Sequence, residues 1–471
     1  MTEQPRTRQD LYDQIRQSSK EEFILDEMIR LGFWAANGEI PNDPADEIRR
    51  RGEIQRELDT LRAENRRLHN EEALKKEALK LRMAESRRKQ QETKERRERE
   101  RQERAAAWQL QQAQGISYLG EGVSAGLNLT ASNLDRLQQY QLPILHDSAD
   151  LAIAMGITIG QLRFLAFSRR IATISHYIHF QIPKKTGGVR EISAPLPRLK
   201  QAQQWILDNI LEQIVLHPTA HGFRRGRSII TNAQPHVGAL VVINLDLQNF
   251  FPSISYRRIK GIFRSLGYSE AIATILGLIC TEPDVTAVEL DGKSYYIAQS
   301  ERHLPQGAPS SPALTNLLCR RLDRRLDRMA SGRGFTYTRY ADDLTFSTTD
   351  SERLREIGNI LQGTQGIVTH EGLTIHPAKT RVLRQSQQQE VTGVVVNQKL
   401  NVDRSTLKRF RAALHHIEKD GLAGKQWGQG TDLLQSIEGF ANYVAMVNPP
   451  KGSEFLAQVQ RIQKKYGKRR R

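Results

Sequence analysis

Two stretches of β-forming residues in the second half of the chain end in acidic side chains. Residues 239–246, ALVVINLD, form an apolar run that closes on Asp246. Residues 335–348, FTYTRYADDLTFST, alternate β-formers on both sides of Ala-Asp-Asp, which predicts a hairpin with Asp342 and Asp343 at its tip. The sequence therefore predicts three carboxylates at the ends of two buried elements.

Carboxylates in such positions favour bound cations. Desolvated acids that lie close together repel one another unless a metal neutralises them, and oxygen ligands suit Mg²⁺. Two such ions about 4 Å apart activate an attacking hydroxyl and stabilise a leaving pyrophosphate. The predicted chemistry is nucleotide addition, with two Mg²⁺ ions at Asp246, Asp342 and Asp343. An Asp-Asp turn alone supports this only weakly, because most such pairs are solvated or cap a turn.

The net charge of the chain indicates an anionic partner. Its 471 residues carry 70 Lys and Arg against 53 Asp and Glu, a net charge of +17, so nucleic acid is the first partner to expect. The two cysteines, Cys280 and Cys319, lack zinc-site spacing and fit a reducing compartment. The N-terminus has no signal-peptide pattern, and no run approaches about 18 apolar residues. We therefore expect a cytoplasmic protein with no membrane partner.

A charged segment precedes the part of the chain with globular composition. Residues 45–104 hold 20 Lys and Arg and 15 Asp and Glu, with no proline and one glycine, which predicts a long helix. Ile54, Leu58, Leu61 and Leu68 form a coiled-coil seam of about two heptads. The seam ends after Leu81, where a solvated helix, a partly unfolded linker and a nucleic-acid-binding segment all stay open. An amphipathic stretch between residues 23 and 34 is suited to pack on a partner or on the same chain.

Several sequence blocks resemble those of reverse transcriptases, in the order of that family, over about residues 140–470. The segment 340–343 matches the YADD box, and the segment 246–251 matches the block that carries the first metal-binding Asp. LPQGAPSSPALTN, KKTGGVREI and HGFRRGRSI are similar to the LPQG box, the fingers hairpin and the second conserved block. GLTIHPAKT supplies the expected lysine. The resemblance implies an RNA-directed DNA polymerase with an α/β (α+β) fold shaped as a right hand.

The resemblance also implies roles for individual residues. Lys185 and Arg190 on the fingers hairpin would hold triphosphate oxygens. Phe251 would exclude a 2′-hydroxyl and so select deoxynucleotides. The remaining nucleotide-binding positions are Gln306, Gly307 and Lys379, the last of which would neutralise pyrophosphate. The template phosphates would be contacted by Arg224, Arg225 and Arg227.

Two shorter motifs favour one branch of the family, the retron reverse transcriptases. Residues 232–236 match the NAxxH motif, with Asn232 and His236, and residues 391–393 match the VTG triplet of Val391, Thr392 and Gly393. We expect these residues to bind RNA or template. The branch implies a cognate structured non-coding RNA, priming from a guanosine 2′-hydroxyl, branched multicopy single-stranded DNA, and a role in anti-phage defence with an effector protein. No endonuclease or ribonuclease H pattern follows, so a host ribonuclease H would remove the template.

The predicted domain order has four parts. A charged helical extension spans residues 1–112, N-terminal helices and fingers span 113–238, a palm spans 239–397, and a basic helical thumb spans 398–471. Lys408, Arg409 and Arg411 lie in RSTLKRFRAALHHIEK, a basic amphipathic segment suited to RNA.

Two alternatives stay open at this point. The first is another bacterial reverse transcriptase, of group II intron-like or abortive-infection type. The second is a catalytically silent RNA-binding scaffold, which three crowded acids beside anionic RNA disfavour.

Overall fold

The computed structural model describes residues 20–34, 74–184, 187–428, 430 and 432–466, together with single positions between residues 8 and 62. Its N-terminal part holds helices α1 (Lys20–Arg30) and α2 (Leu74–Gln114). The 41 residues of α2 make a rod about 60 Å long. The predicted helix is confirmed over this range. Ile54, Leu58 and Leu61 are helical and exposed, whereas Leu68 lies outside the described residues.

The amphipathic stretch that includes α1 packs on the same chain, one of the two outcomes that its pattern allowed. Leu25 is buried, and the Phe33 ring stacks on Phe167 at a centroid distance of 5.6 Å. The guanidinium of Arg169 lies 4.9 Å from both ring centroids, a cation–π arrangement. This contact attaches the start of the N-terminal extension to the part of the chain that follows α2.

Short helices and two small sheets follow. The helices are α3 (Leu134–Gln139), α4 (Ser148–Ala154) and α5 (Ile159–Ala166). Strands β1 (Ile171–Ala172), β5 (Val285–Leu290) and β6 (Lys293–Ala298) form a sheet in the order β1-β6-β5. Strands β2 (Tyr177–Pro183) and β3 (Val189–Pro195) form a separate antiparallel pair, here called the fingers hairpin.

The central element is a four-stranded antiparallel sheet, here called the palm sheet, with strand order β7-β8-β4-β9. It consists of β4 (Val241–Asp246), β7 (Thr336–Tyr340), β8 (Asp343–Thr348) and β9 (Arg381–Arg384). Val241, Val242 and Ile243 of β4 are fully buried, which is why this strand is an unbroken apolar run in the sequence. The predicted strand and hairpin are both confirmed.

Helices surround the palm sheet. They are α6 (Pro197–Ile206), α7 (Ile229–Ala233), α8 (Tyr256–Leu266), α9 (Glu270–Ile279), α10 (Ser311–Leu318), α11 (Arg320–Ser331) and α12 (Ile357–His370). The helix α9 is buried along its whole length, and Phe263 of α8 joins the same core as Phe346 of β8. The palm sheet is thus fixed by one large hydrophobic core.

A second core lies under the C-terminal helices. The strands β10 (Glu390–Val391) and β11 (Val394–Val395) precede α13 (Arg404–Asp420), α14 (Leu433–Val447) and α15 (Pro449–Tyr466). Phe410 is fully buried between the rings of Trp427, Phe440 and Phe455. We call α13 to α15 the thumb helices. Within the part of the chain that the structure describes, no single helix is long and apolar enough to cross a bilayer, and only the pair α4 and α5, bent by 100°, meets that test jointly by length and composition.

Candidate active site

The three predicted carboxylates lie together at one end of the palm sheet. Asp246 ends β4 and is the cross-strand partner of Asp343, which begins β8. The backbone N–H of Leu247 donates to the carbonyl of Asp342 over 3.0 Å. Directly opposed residues of antiparallel strands have Cα atoms about 4.5–5.5 Å apart. Residues nearly a hundred positions apart in the sequence therefore share one edge.

This cluster carries negative charge that the protein only partly compensates. Desolvation, together with the charges of Asp342 and Asp246, raises the pKa of Asp343 to about 7, although the charge of Lys379 acts in the opposite direction. Desolvation likewise raises the pKa of Asp342, with a further increase from Asp246. Carboxylates whose charged form is disfavoured in this way gain from a bound cation.

The ammonium group of Lys379 supplies a positive charge at this cluster in the structure. It ends a short 3₁₀ turn, Pro377–Lys379, and its Nζ donates to both carboxylate oxygens of Asp246 over 2.9 Å. The carbonyl of Asp246 accepts from the backbone N–H of His376 over 2.7 Å, which aligns the turn with the strand. Among the described residues, no three histidine, cysteine or acidic side chains form a preformed metal cluster. The donor set itself, three carboxylates without nitrogen or sulfur, fits Mg²⁺.

The fingers hairpin lies over this site. Arg190 of β3 is exposed, and its charge lowers the pKa of Asp342, so the guanidinium lies within electrostatic range of the carboxylates. Lys185, the other predicted triphosphate ligand, lies outside the described residues.

The predicted nucleotide-binding glycine contacts the fingers hairpin. Gly307 has a φ of +134°, and a Cβ atom there would lie 2.8 Å from the carbonyl oxygen of Ser193 in β3. The carbonyl of its neighbour Gln306 accepts from the backbone N–H of Ser193 over 2.9 Å. The close backbone approach that requires glycine is therefore to a strand of the same chain.

Phe251 lies on the floor between the palm sheet and the HGFRRGRSI segment. The ring is half-buried, 5.7 Å from the Phe250 centroid and 6.3 Å from that of Phe223. Phe223 is exposed and has a φ of +55°. Phe251 thus contacts two aromatic rings, one of them buried and one exposed.

The three predicted template-binding arginines differ in how free they are. Arg224 donates to the carbonyl of His217 over 3.1 Å and stabilises its own loop. Arg225 forms a 2.9 Å ion pair with Glu212 while most of its side chain stays in solvent. Arg227 is exposed. Arg225 and Arg227 are therefore the members of this group that face solvent.

The predicted RNA contacts of Asn232, His236 and Val391 need correction, because all three residues are fully buried. The ring of His236 forms hydrogen bonds with the hydroxyls of Ser347 (2.6 Å) and Thr338 (2.8 Å). These partners lie on β8 and β7. His236 lies in the 3₁₀ turn Gln234–His236 that follows α7 and joins this turn to the palm sheet. Burial lowers its pKa to about 3, so it stays neutral.

The two retron-type motifs meet each other in the structure. The side-chain amide of Asn232 donates to the Thr392 hydroxyl over 3.5 Å, at the tight turn between β10 and β11. Thr392 and Gly393 have φ values of +47° and +81°. Both line a cavity that opens beside Asp246, Asp343 and Lys379. The two motifs thus contact each other inside the protein, and Thr392 and Gly393 are their accessible residues.

The predicted thumb residues lie on the outer face of α13. Lys408, Arg409 and Arg411 are exposed, while Leu407 and Phe410 of the same segment face the core. This alternation confirms the amphipathic pattern of the segment. The basic face is available to a polyanion.

Sequence reasoning missed one buried ion pair beneath the turn that carries Asp342 and Asp343. Arg339 of β7 and Asp323 of α11 are joined over 2.7 Å, and their side chains are 0% and 1% exposed. The available signal was an acid on the apolar face of α11, one residue after Leu322 and three before Leu326.

This fold and this group of carboxylates define a polymerase of the reverse transcriptase class. The reverse transcriptase (RNA-dependent DNA polymerase) family matches residues 182–396. The chain is 41% identical to the retron Mx162 reverse transcriptase of Myxococcus xanthus, with 76% of each chain covered. It is 33% identical to the retron Ec86 reverse transcriptase of Escherichia coli, with 71% of this chain and 95% of that one covered. The chain belongs to the retron reverse transcriptases, and its activity is RNA-directed DNA polymerisation.

Proposed function

We propose that this enzyme copies part of its own structured non-coding RNA into branched single-stranded DNA. Polymerisation would start from the 2′-hydroxyl of a guanosine in that RNA. The single observation that carries the chemistry is the convergence of Asp246, Asp342 and Asp343 at one end of the palm sheet. The relatives' names, all retron reverse transcriptases, support the choice of RNA and product.

The carboxylates would hold two Mg²⁺ ions. Bound there, the ions would activate the attacking hydroxyl and neutralise the leaving pyrophosphate. Lys379 would exchange its contact with Asp246 for one with pyrophosphate oxygens, which its exposed Nζ and flexible stem permit. Arg190 would bind the triphosphate with a two-pronged contact, together with Lys185. Phe251 would lie against the sugar, with Gln306 and Gly307 beside the nucleotide.

RNA would be held by exposed cations on both sides of the site. Arg225 and Arg227 are suited to template phosphates, and Lys408, Arg409 and Arg411 are suited to the structured RNA near the thumb helices. Thr392 and Gly393 would contact the nucleic acid where it passes the cavity. We further propose that the enzyme works in the cytoplasm, relies on a host ribonuclease H to remove template, and serves with an effector protein in anti-phage defence.

The test is to express the chain with its genomically adjacent non-coding RNA and to isolate the nucleic acid that copurifies. DNA that stays covalently attached to RNA and shifts in mobility after debranching enzyme would support the proposal. The variant Asp342→Asn should abolish it, whereas Asp135→Asn, an exposed carboxylate on α3, should not. Linear DNA extended only from a 3′-end would instead favour an intron-like enzyme. Tight RNA binding without DNA synthesis would favour a scaffold.

A further inference from the structure

The turn that presents the catalytic carboxylates has a backbone that needs support. Ala341, between Tyr340 and Asp342, has a φ of +57°, in the left-handed region. A non-glycine residue held there costs of the order of 1 kcal/mol and persists only where its surroundings impose it. The direction of both adjacent carboxylates depends on this one peptide unit.

A buried arginine binds that peptide unit directly. The guanidinium of Arg339 donates to the carbonyl of Ala341 over 3.0 Å. Its other two donors, Nε and one terminal nitrogen, reach the two carboxylate oxygens of Asp323, each over 2.7 Å. The hydroxyl of Tyr337 donates to the same carboxylate over 3.0 Å. Asp323 thus orients Arg339, and Arg339 contacts the turn.

The backbone of Arg339 is constrained from the opposite side. Its N–H donates to the carbonyl of Thr219, and its carbonyl accepts from the N–H of His221, both over 2.8 Å. The next residue, Gly222, leaves so little space that a Cβ atom there would lie 2.4 Å from the Ala341 nitrogen. The side-chain amide of Asn316 donates to the Gly222 carbonyl over 2.9 Å. The turn is therefore enclosed on one side by a loop and on the other by a guanidinium.

Stability alone does not account for this pair. Removing two charges from water costs energy that their attraction only partly returns, and apolar residues of similar volume often replace a buried ion pair without loss. Such a replacement would keep the packing but could not bind the Ala341 carbonyl. What distinguishes this pair is that Arg339 also donates a hydrogen bond to the Ala341 carbonyl.

We infer that Arg339 is a positioning residue for polymerisation and that Asp323 is its orienting partner. Neither touches substrate. Together they would hold the Ala341 peptide, and through it the direction of the Asp342 and Asp343 carboxylates. The expected change in Mg²⁺ affinity rests on the proposed two-metal chemistry. The expected change in the rate of DNA synthesis does not.

The decisive variant is the double replacement Arg339→Met with Asp323→Asn, which roughly keeps the volume of each side chain, removes both charges and leaves Tyr337 an oxygen acceptor. We expect its thermal midpoint to stay within about 3 °C of that of the unaltered chain, equivalent to a small change in unfolding free energy. We expect kcat on a primed RNA template to fall about ten- to a hundredfold, as for a small misplacement of reacting groups, with the nucleotide KM little changed. The Mg²⁺ concentration for half-maximal rate should rise about three- to tenfold.

Two further variants keep the test decisive. Arg339→Lys retains a charge for Asp323 but lacks the planar fork that reaches both partners, so it should fold and show the same loss of kcat. The control Arg325→Met with Glu371→Gln removes a 2.6 Å ion pair between α11 and the residue that follows α12, and should leave both parameters unchanged. Calorimetric titration with Mn²⁺, without substrate, provides a readout separate from activity.

The outcomes distinguish the positioning role of Arg339 from the proposed two-metal chemistry. Unchanged kcat and metal dependence in a folded double variant, or in Arg339→Lys, would reduce the pair to a fold element and overturn the inference. A reduced kcat with unchanged Mn²⁺ binding would keep Arg339 as a positioning residue but remove the link to the metals. Absence of any metal binding in the unaltered chain would overturn the proposed chemistry and leave the kcat comparison valid.

Discussion

The palm hairpin, β7 with β8, and the fingers hairpin, β2 with β3, are built from the same kind of element but are held very differently. In the palm hairpin the Leu344 and Phe346 side chains are fully buried. In β2 the Ile178, Phe180 and Ile182 side chains are 45–57% exposed. The first hairpin is locked into the core. The second leaves most of its apolar side chains in solvent and is attached by a few contacts, which include Ser193 with Gln306 and Tyr177 with Gln203.

This difference matches the demands on the two groups of charged residues. In the proposed function, the carboxylates would have to keep a fixed mutual geometry, because small errors in the position of reacting groups cost large factors in rate. The fingers cations would have to follow nucleotides that enter and leave. We expect the palm to respond to substitution mainly through stability and the fingers mainly through substrate affinity.

The largest expected difference is in packing. Leu344→Ala should lower the free energy of unfolding by about 3 kcal/mol, as for leucines deleted from a core. Phe180→Ala, on an exposed face of the fingers hairpin, should cost less than about 1 kcal/mol. Denaturant titration of both purified variants would measure this. Equal losses in the free energy of unfolding would show that the fingers hairpin is as tightly packed as the palm hairpin, which would contradict the difference described above.

The next effect concerns acid stability at the back of the palm sheet. Burial lowers the pKa of His236 in the folded chain to about 3, whereas its ordinary value is 6.5. Below pH 6.5 the unfolded chain therefore binds a proton at this residue that the folded chain does not bind. Its contribution to stability is therefore complete above pH 6.5 and declines as pH falls towards 3. At pH 5 the loss should be about 2 kcal/mol.

The variant His236→Gln isolates this contribution. The difference in unfolding free energy between pH 7 and pH 5 should shrink by about 2 kcal/mol in the variant. His221, whose pKa is lowered to about 4 by burial and nearby arginines, retains its own acid sensitivity. An unchanged difference would mean that His236 is accessible to protons in the folded chain, as the direct RNA-binding role would require.

A smaller effect should appear on the fingers side of the comparison. Arg190→Gln would remove the charge-assisted contact proposed with the triphosphate, so the nucleotide KM should rise about ten- to thirtyfold, equal to about 1.4–2 kcal/mol. Its unfolding free energy should change by less than about 0.5 kcal/mol, because the side chain is exposed. Steady-state kinetics on a primed template measures the first quantity.

The neighbouring residue provides the matched control. Glu191 is also exposed but points to the opposite face of β3 from Arg190. Glu191→Gln should leave KM unchanged. A rise in KM for both variants would indicate that the hairpin as a whole, and not the Arg190 side chain, determines nucleotide affinity.

The sequence was most informative where the signal is local. The strand ending at Asp246 and the hairpin at Asp342 follow from apolar and alternating patterns within a few residues, and cross-strand pairing then brings the acids together. The partnership of Arg339 with Asp323 joins a strand to a helix, and no periodic pattern encodes it. For Asn232, His236 and Val391 the predicted direct RNA contact does not agree with their full burial, because a motif match gives position along the chain and not burial.

The smallest predicted effect lies where the two regions meet, at Phe251. Its half-buried ring contacts Phe250 and Phe223, so a sugar beside it would meet this aromatic surface. Phe251→Ala should raise the ratio of ribonucleotide to deoxynucleotide incorporation about tenfold or less, the range expected when a pocket rejects one extra group by steric contact alone. Competition assays with matched nucleotide pairs would measure it. A variant that loses deoxynucleotide incorporation without gaining ribonucleotides would instead mark Phe251 as packing for the palm, and the fingers would then have to account for sugar selection.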